Sequence, residues 1–123
     1  MNTNFNDLSW HDANLQFISI DRQKPGEQDV IKLLIDWPDN AGSSSIEFYD
    51  CYALTMNMNF GIVASESIST AECFTNSIEL DFIRKEWSKV GVDLENLKFF
   101  KFTTNSTNNT IHIFSLGFQI LSL

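Results

Sequence analysis

The chain alternates short apolar runs with short polar breaks, and the period of each run predicts its element. Leu15, Phe17, Ile18 and Ile20 form the first run, which follows Trp10, His11 and Asp12 and ends at Asp21 and Arg22. Its apolar phase slips between Phe17 and Ile18, a sign of a β-bulge or of burial on both faces. Pro25 and Gly26 make the turn that follows, Pro presetting φ and Gly admitting φ > 0. Over residues 29–37, Ile31, Leu33, Ile35 and Trp37 point one way, while Val30 and Leu34 share the other face with Lys32 and Asp36. So continuous an apolar run suits an interior strand. Residues 38–45 read as a loop on composition. A third strand spans about 46–54, with Asp50 falling in the more apolar of its two phases. Residues 55–64 are ambiguous and read as a continuation of that strand, then a turn at Gly61; residues 66–70 read as a further short strand.

The period then changes. Ile78, Phe82, Ile83, Trp87 and Val90 recur at helical spacing and predict one amphipathic helix near residues 77–90, about four turns long. Asn76 offers an N-cap with Glu79 three residues on, and Gly91 stands where a left-handed C-terminal residue belongs. Glu79 and Asp81 early, with Arg84, Lys85 and Lys89 later, match the helix dipole. Residues 99–103 and 111–115 flank a loop of Asn, Ser and Thr and predict a β-hairpin, its second arm continuing to Ile120. Strands, a helix and a closing hairpin make an α+β fold: an antiparallel β-sheet of about five to seven strands with the one helix packed on it. No repeat or internal boundary interrupts residues 1–123, so a single domain is expected.

Composition narrows the partner classes. The 123 residues carry 16 acidic against 8 basic side chains, a formal net charge of −8. Such a surface repels phosphate, so neither nucleic acid nor an anionic membrane is an expected partner, whereas a basic protein partner is permitted and attracted. Eleven Phe and 3 Trp argue for a packed interior rather than disorder. The first residues hold no basic segment followed by an apolar one, and no apolar run nears the ~20 residues of a membrane span. A cytoplasmic location is the expectation. Two glycosylation-type triplets begin at Asn105 and Asn108, and the stretch reads as a polar turn.

The candidate chemistry is sparse. Only His11 and His112 offer a base, and Cys51 lies in strand alternation between Tyr49 and Ala53, as an inert buried thiol would. No metal-type ligand spacing or phosphate-binding glycine loop occurs, so no catalytic residue, metal or cofactor is assigned. Two features stand out. Trp10, His11 and Asp12 join an aromatic ring, an imidazole and a carboxylate at a strand start, either as a contact site or as a plug at the sheet end with Asp12 bonding local backbone. Asp50 is either buried with a partner or placed on an exposed edge, where charge discourages aggregation. Candidate binding residues are Trp10, His11, Asp12, Asp36, Trp37, Asp39 and Asp50, with Trp10 and Trp37 as aromatic anchors.

The segment from Trp10 to Arg22, followed by the strands at 30–37 and 46–52, resembles small bacterial domains that open on His-Asp-x-x-Leu-x-x-Ile-x-Ile-Asp. That group includes predicted immunity proteins of polymorphic-toxin systems. The resemblance spans about the first half of the chain and implies a non-enzymatic protein that neutralises a cognate toxin by occlusion. Two other classes stay open: a small hydrolase using His11 with a nearby carboxylate, and a homo-oligomeric structural module.

Overall fold

The computed structural model describes residues 4–105 and 107–122; Met1–Thr3, Ser106 and Leu123 lie outside the description. Six strands form one sheet: β1 (Asn14–Ile20), β2 (Ile31–Asp36), β3 (Ser43–Asn57), β4 (Ile68–Phe74), β5 (Lys98–Thr104) and β6 (Thr110–Ser122). Their order is β1-β2-β3-β6-β5-β4, and every neighbouring pair is antiparallel. One helix, α1 (Ile78–Ser88), joins β4 to β5. This is the α+β architecture expected from the sequence.

The two edge strands meet. Asn14 pairs with Ser67, the Ile68 N–H donates to the Ala13 carbonyl at 2.7 Å, and the Leu15 N–H donates to the Glu66 carbonyl at 2.8 Å. A sheet whose edges touch must curl, and its side chains then alternate between an inside and an outside. Every strand contributes to the inside: Leu15, Leu33, Phe48, Ile68, Phe102 and Ile113 are all buried there. Phe5, from a short 3-10 turn at Phe5–Asp7, fills this interior against Phe48, Phe100 and Phe118, with ring centroids 4.9–6.3 Å apart. Each fully buried Phe contributes about 1.5–3 kcal/mol through burial alone, so this aromatic cluster is a main source of stability.

A second, smaller core lies on the outside of the sheet, where Leu80 of α1 meets Leu94, Leu97, Phe99 and Phe114. The helix therefore buries a different face from the expected one. Ile83 is half-buried and Trp87 packs edge-on to Tyr52 at 5.0 Å, but Ile78, Phe82 and Val90 project into solvent, 85 %, 66 % and 71 % exposed. The N-cap is Ser77 rather than Asn76, its hydroxyl accepting from the Leu80 N–H at 3.0 Å. Asn76 instead accepts from the Arg84 guanidinium. The helix runs three turns, not four, and the backbone leaves it through left-handed Gly91, φ 83°.

Irregularities fall where local rules break. The bulge in β1 lies between Leu15 and Phe17, one position before the apparent slip, and leaves Phe17 60 % exposed. β3 begins at Ser43, inside the expected loop, after three left-handed residues, Asp39, Asn40 and Gly42. Asp50 is also left-handed, φ 51°, next to a register shift between Cys51 and Ala53. β4 runs on to Phe74, four residues past the expected strand, because a shift between Ile68 and Thr70 hides its period. Gly117 faces Tyr49 across the β3–β6 ladder, and a Cβ there would meet the Tyr49 ring at 2.5 Å, so only Gly lets that ring lie flat.

Candidate functional site

The segment between β3 and β4 departs from a surface that hides its apolar residues. From Thr55 to Ser65 it carries no charge. At its tip Phe60 is 87 % exposed, Ile62 is 47 % exposed and Val63 is fully exposed, either side of the left-handed Gly61. Single exposed apolar residues are common; three within four positions form a local apolar patch.

The base of this loop is fixed. The Glu66 carboxylate accepts from the Thr107 hydroxyl and, at 3.1 Å, from the Asn109 amide. Asn109, wholly buried, accepts through Oδ1 from the Asn59 N–H at 2.6 Å, and the Asn59 amide donates to the Thr107 carbonyl at 2.9 Å. Thr104 completes the knot, its Oγ1 2.7 Å from that of Thr107 and accepting from the Asn109 N–H at 2.9 Å. Asn105 adds a tie outside it, donating from its backbone to the Ser67 carbonyl at 2.8 Å and from its amide to the Ser67 hydroxyl at 3.0 Å. Buried polar groups fully satisfied in this way specify one geometry, since each lost bond leaves a costly orphan. The β5–β6 turn, read from sequence as a polar loop, is thus the clamp that holds the Phe60 loop in place. Sequence reasoning found neither: the loop has no period, and the knot joins residues some forty positions apart.

The sequence-derived candidates fall into two separate places. Trp10 is 4 % exposed, with its indole N–H donating to the Phe5 carbonyl at 2.8 Å and its ring 4.9 Å from that of Trp37. It is a core plug and has no surface to offer a partner. Trp37 is half-buried beside it, donating to the Ser44 hydroxyl at 2.9 Å, and lines an open groove of about 330 Å³ with Asp39. Asp36 stays next to this pair, accepting from the Ser43 hydroxyl at 3.3 Å. His11 and Asp12 stand side by side on an exposed turn, His11 Nε2 3.6 Å from Asp12 Oδ2 and His11 Nδ1 3.2 Å from the Ser69 carbonyl. The Asp12 N–H donates to the Ile68 carbonyl, but its side chain does not carry the local backbone bond expected of it.

Asp50 is elsewhere. It is not buried with a partner: it is exposed on the left-handed bulge of β3, past Phe48, the last residue that β2 pairs, where that side of β3 is locally an open edge. With Arg22, Asp29, Tyr52 and Trp87 it lines a cleft of about 480 Å³. Arg22 and Asp29 are paired at 2.9 Å, and the Gly26 N–H also donates to Asp29. His11 does not line this cleft; the carboxylate beside it is that of Asp12, and the pair stands on an exposed turn rather than in the concave pocket that a hydrolase reading requires.

Both thiols are restrained. Burial, with help from the Asp29 and Asp50 charges and against a hydrogen bond from Ile31, pushes Cys51 up to about 12, and its Sγ–H donates to the Phe48 carbonyl at 3.2 Å. Burial also raises Cys73, against the pull of Lys98. Neither is poised as a thiolate nucleophile near neutral pH. No group of three or more metal-ligating side chains occurs among the described residues, and no described helix is long and apolar enough to cross a membrane. Compared with family models, curated proteins and solved structures, the chain shows no match.

Proposed function

We propose that this chain is a non-enzymatic protein-binding domain that neutralises a basic partner by covering it, as the immunity proteins that its opening segment resembles are expected to do. The observation that carries the reading is the Phe60 loop: Phe60, Ile62 and Val63 are held out in solvent on an uncharged loop whose base is clamped by Glu66, Thr107 and Asn109. A preorganised apolar projection loses little entropy on docking, which is what a binding anchor requires. The net charge of −8 speeds encounter with a basic surface, while the anchors set the lifetime of the complex. Asp50, beside the exposed edge of Trp87, supplies a carboxylate and an aromatic ring for a partner cation.

The test is co-expression and titration with a toxin encoded beside this chain's gene. Neutralisation is expected at a one-to-one ratio, as occlusion demands, and substoichiometric neutralisation would favour the enzyme. Phe60→Ser and Val63→Ser are each expected to weaken binding about 30-fold, corresponding to roughly 2 kcal/mol per anchor, with thermal stability unchanged. Full protection by the double variant would remove the loop from the interface and the reading with it.

A further inference from the structure

β6 is longer than the strand beside it. β5 pairs with it only from Ser115 back to Thr110, Lys98 facing Ser115, while β3 follows it along its other side as far as Ser122. Beyond Ser115, no described strand pairs with the β5-side edge of β6. The β2–β3 ladder fixes which backbone groups face that side. The Trp37 N–H donates to the Gly42 carbonyl at 2.9 Å, so by alternation Ser45, Glu47 and Tyr49 of β3 face β6 and take up Leu121, Gln119 and Gly117. Phe118 and Ile120 therefore turn their N–H and C=O groups toward the vacant lane.

The lane is a bounded slot and not an open flank. A groove of about 710 Å³ runs along it, with Gly117 to Ile120 on one side and Asn4, Asn6, Cys73 and Thr75 on the other. The far wall is built: the Asn6 side chain accepts from the Cys73 N–H at 2.7 Å and donates to the Cys73 carbonyl at 3.3 Å. Walled on both sides, the lane suits one extended chain. Segment 116–122 has no charge and no Pro, the usual protections of an exposed edge.

Charge then sets direction and end group. Lys98 is the one charged residue among those lining the slot, in a chain whose net charge is −8. Its ammonium donates to the Leu116 carbonyl at 3.0 Å, which places it where β5 stops, with two N–H donors left over. A strand added antiparallel to β6 runs in the direction of β5, so its C-terminus arrives at Lys98. We propose that this slot binds the free C-terminal tail of a partner protein as an added strand, with its backbone on Phe118 and Ile120 and its terminal carboxylate on Lys98.

The slot is distinct from the Phe60 loop, so its test does not depend on the toxin assay. The full chain is screened against an arrayed library of hexapeptides with free C-termini, and the best binders are remade as C-terminal amides. Binders are expected to lose about tenfold or more in affinity as amides and a similar factor against Lys98→Met, with recovery in Lys98→Arg. Peptide addition should also protect the Phe118 and Ile120 amides from hydrogen exchange. Ile120→Pro, which removes an N–H turned toward the lane, is expected to abolish binding; if it does not fold, the Lys98 pair carries the result. An empty screen, equal binding by the amides, protection elsewhere, or contacts from the chain's own N-terminal residues to Gly117–Leu121 in the free protein would each overturn the proposal.

Discussion

Arg84 distributes one guanidinium over four backbone carbonyls. Nε donates to Leu94 at 3.1 Å, and Nη2 donates to Thr75, Glu95 and Leu97 at 2.9–3.1 Å, so one side chain closes both ends of the β4–α1–β5 connection. Its sequence position suggested only a cation suited to the later turns of a helix, since acceptors contributed by loop carbonyls leave no trace in residue type. Replacing it with Met keeps the aliphatic stem and strands the carbonyls, at an expected cost of about 3 kcal/mol in urea unfolding. Lys is expected to recover only part of this, because an ammonium lacks the planar fork that reaches several acceptors together. An Arg84→Met variant as stable as the parent would show that water satisfies those carbonyls equally well.

For α1 as an element, period and burial must be separated. Helical spacing made the existence and place of the helix legible, and Ser77 against Asn76 is a one-residue error in its cap. The spacing did not identify the buried face. Leu80 is wholly buried, while Ile78 and Phe82, a turn apart, lie on the opposite side beside Lys85 and Lys89. Hydrophobic type alone chose the wrong side, because the sheet offers α1 only a small landing area over Phe99 and Phe114. Leu80→Ala is therefore expected to cost about 3 kcal/mol, and Phe82→Ala less than about 0.5 kcal/mol, as measured by thermal or denaturant melts. Equal costs would mean that Phe82 packs in solution. β2 was fully legible for the converse reason: it is interior and regular, and its Ile31, Leu33, Ile35 alternation survives intact.

Across the whole molecule, pH acts on stability through His112. It lies on the outside of the sheet, 5.0 Å from the Phe99 ring. Burial, and then Lys101, lower its pKa below the ordinary value, against an opposing pull from Glu79. The folded state thus favours the neutral imidazole. This contribution is complete above the unfolded value near ~6.5 and is lost as pH falls through the lower folded one. Urea midpoints are expected to drop over that acid range in the parent and to drop less in His112→Gln; parallel profiles would exclude His112 as the source. The fold class was readable at this scale, but the closure between Asn14 and Ser67 and the Glu66–Asn109 knot were not, because both join distant segments through backbone and amide groups that have no hydrophobic signature.

The strand order also constrains how the chain is made. β6 lies at the seam, between β3 of the first meander and β5 of the second half, yet it is synthesised after all the strands it joins. Until Thr110–Ser122 has been made, the two half-sheets share no strand and can meet only where Asn14 pairs with Ser67. Joining them along β6 is therefore a late event, and folding waits for the synthesis of Thr110–Ser122. A premature stop inside β6 would leave two halves with adhesive edges, whereas the same loss from a peripheral strand would leave a smaller domain.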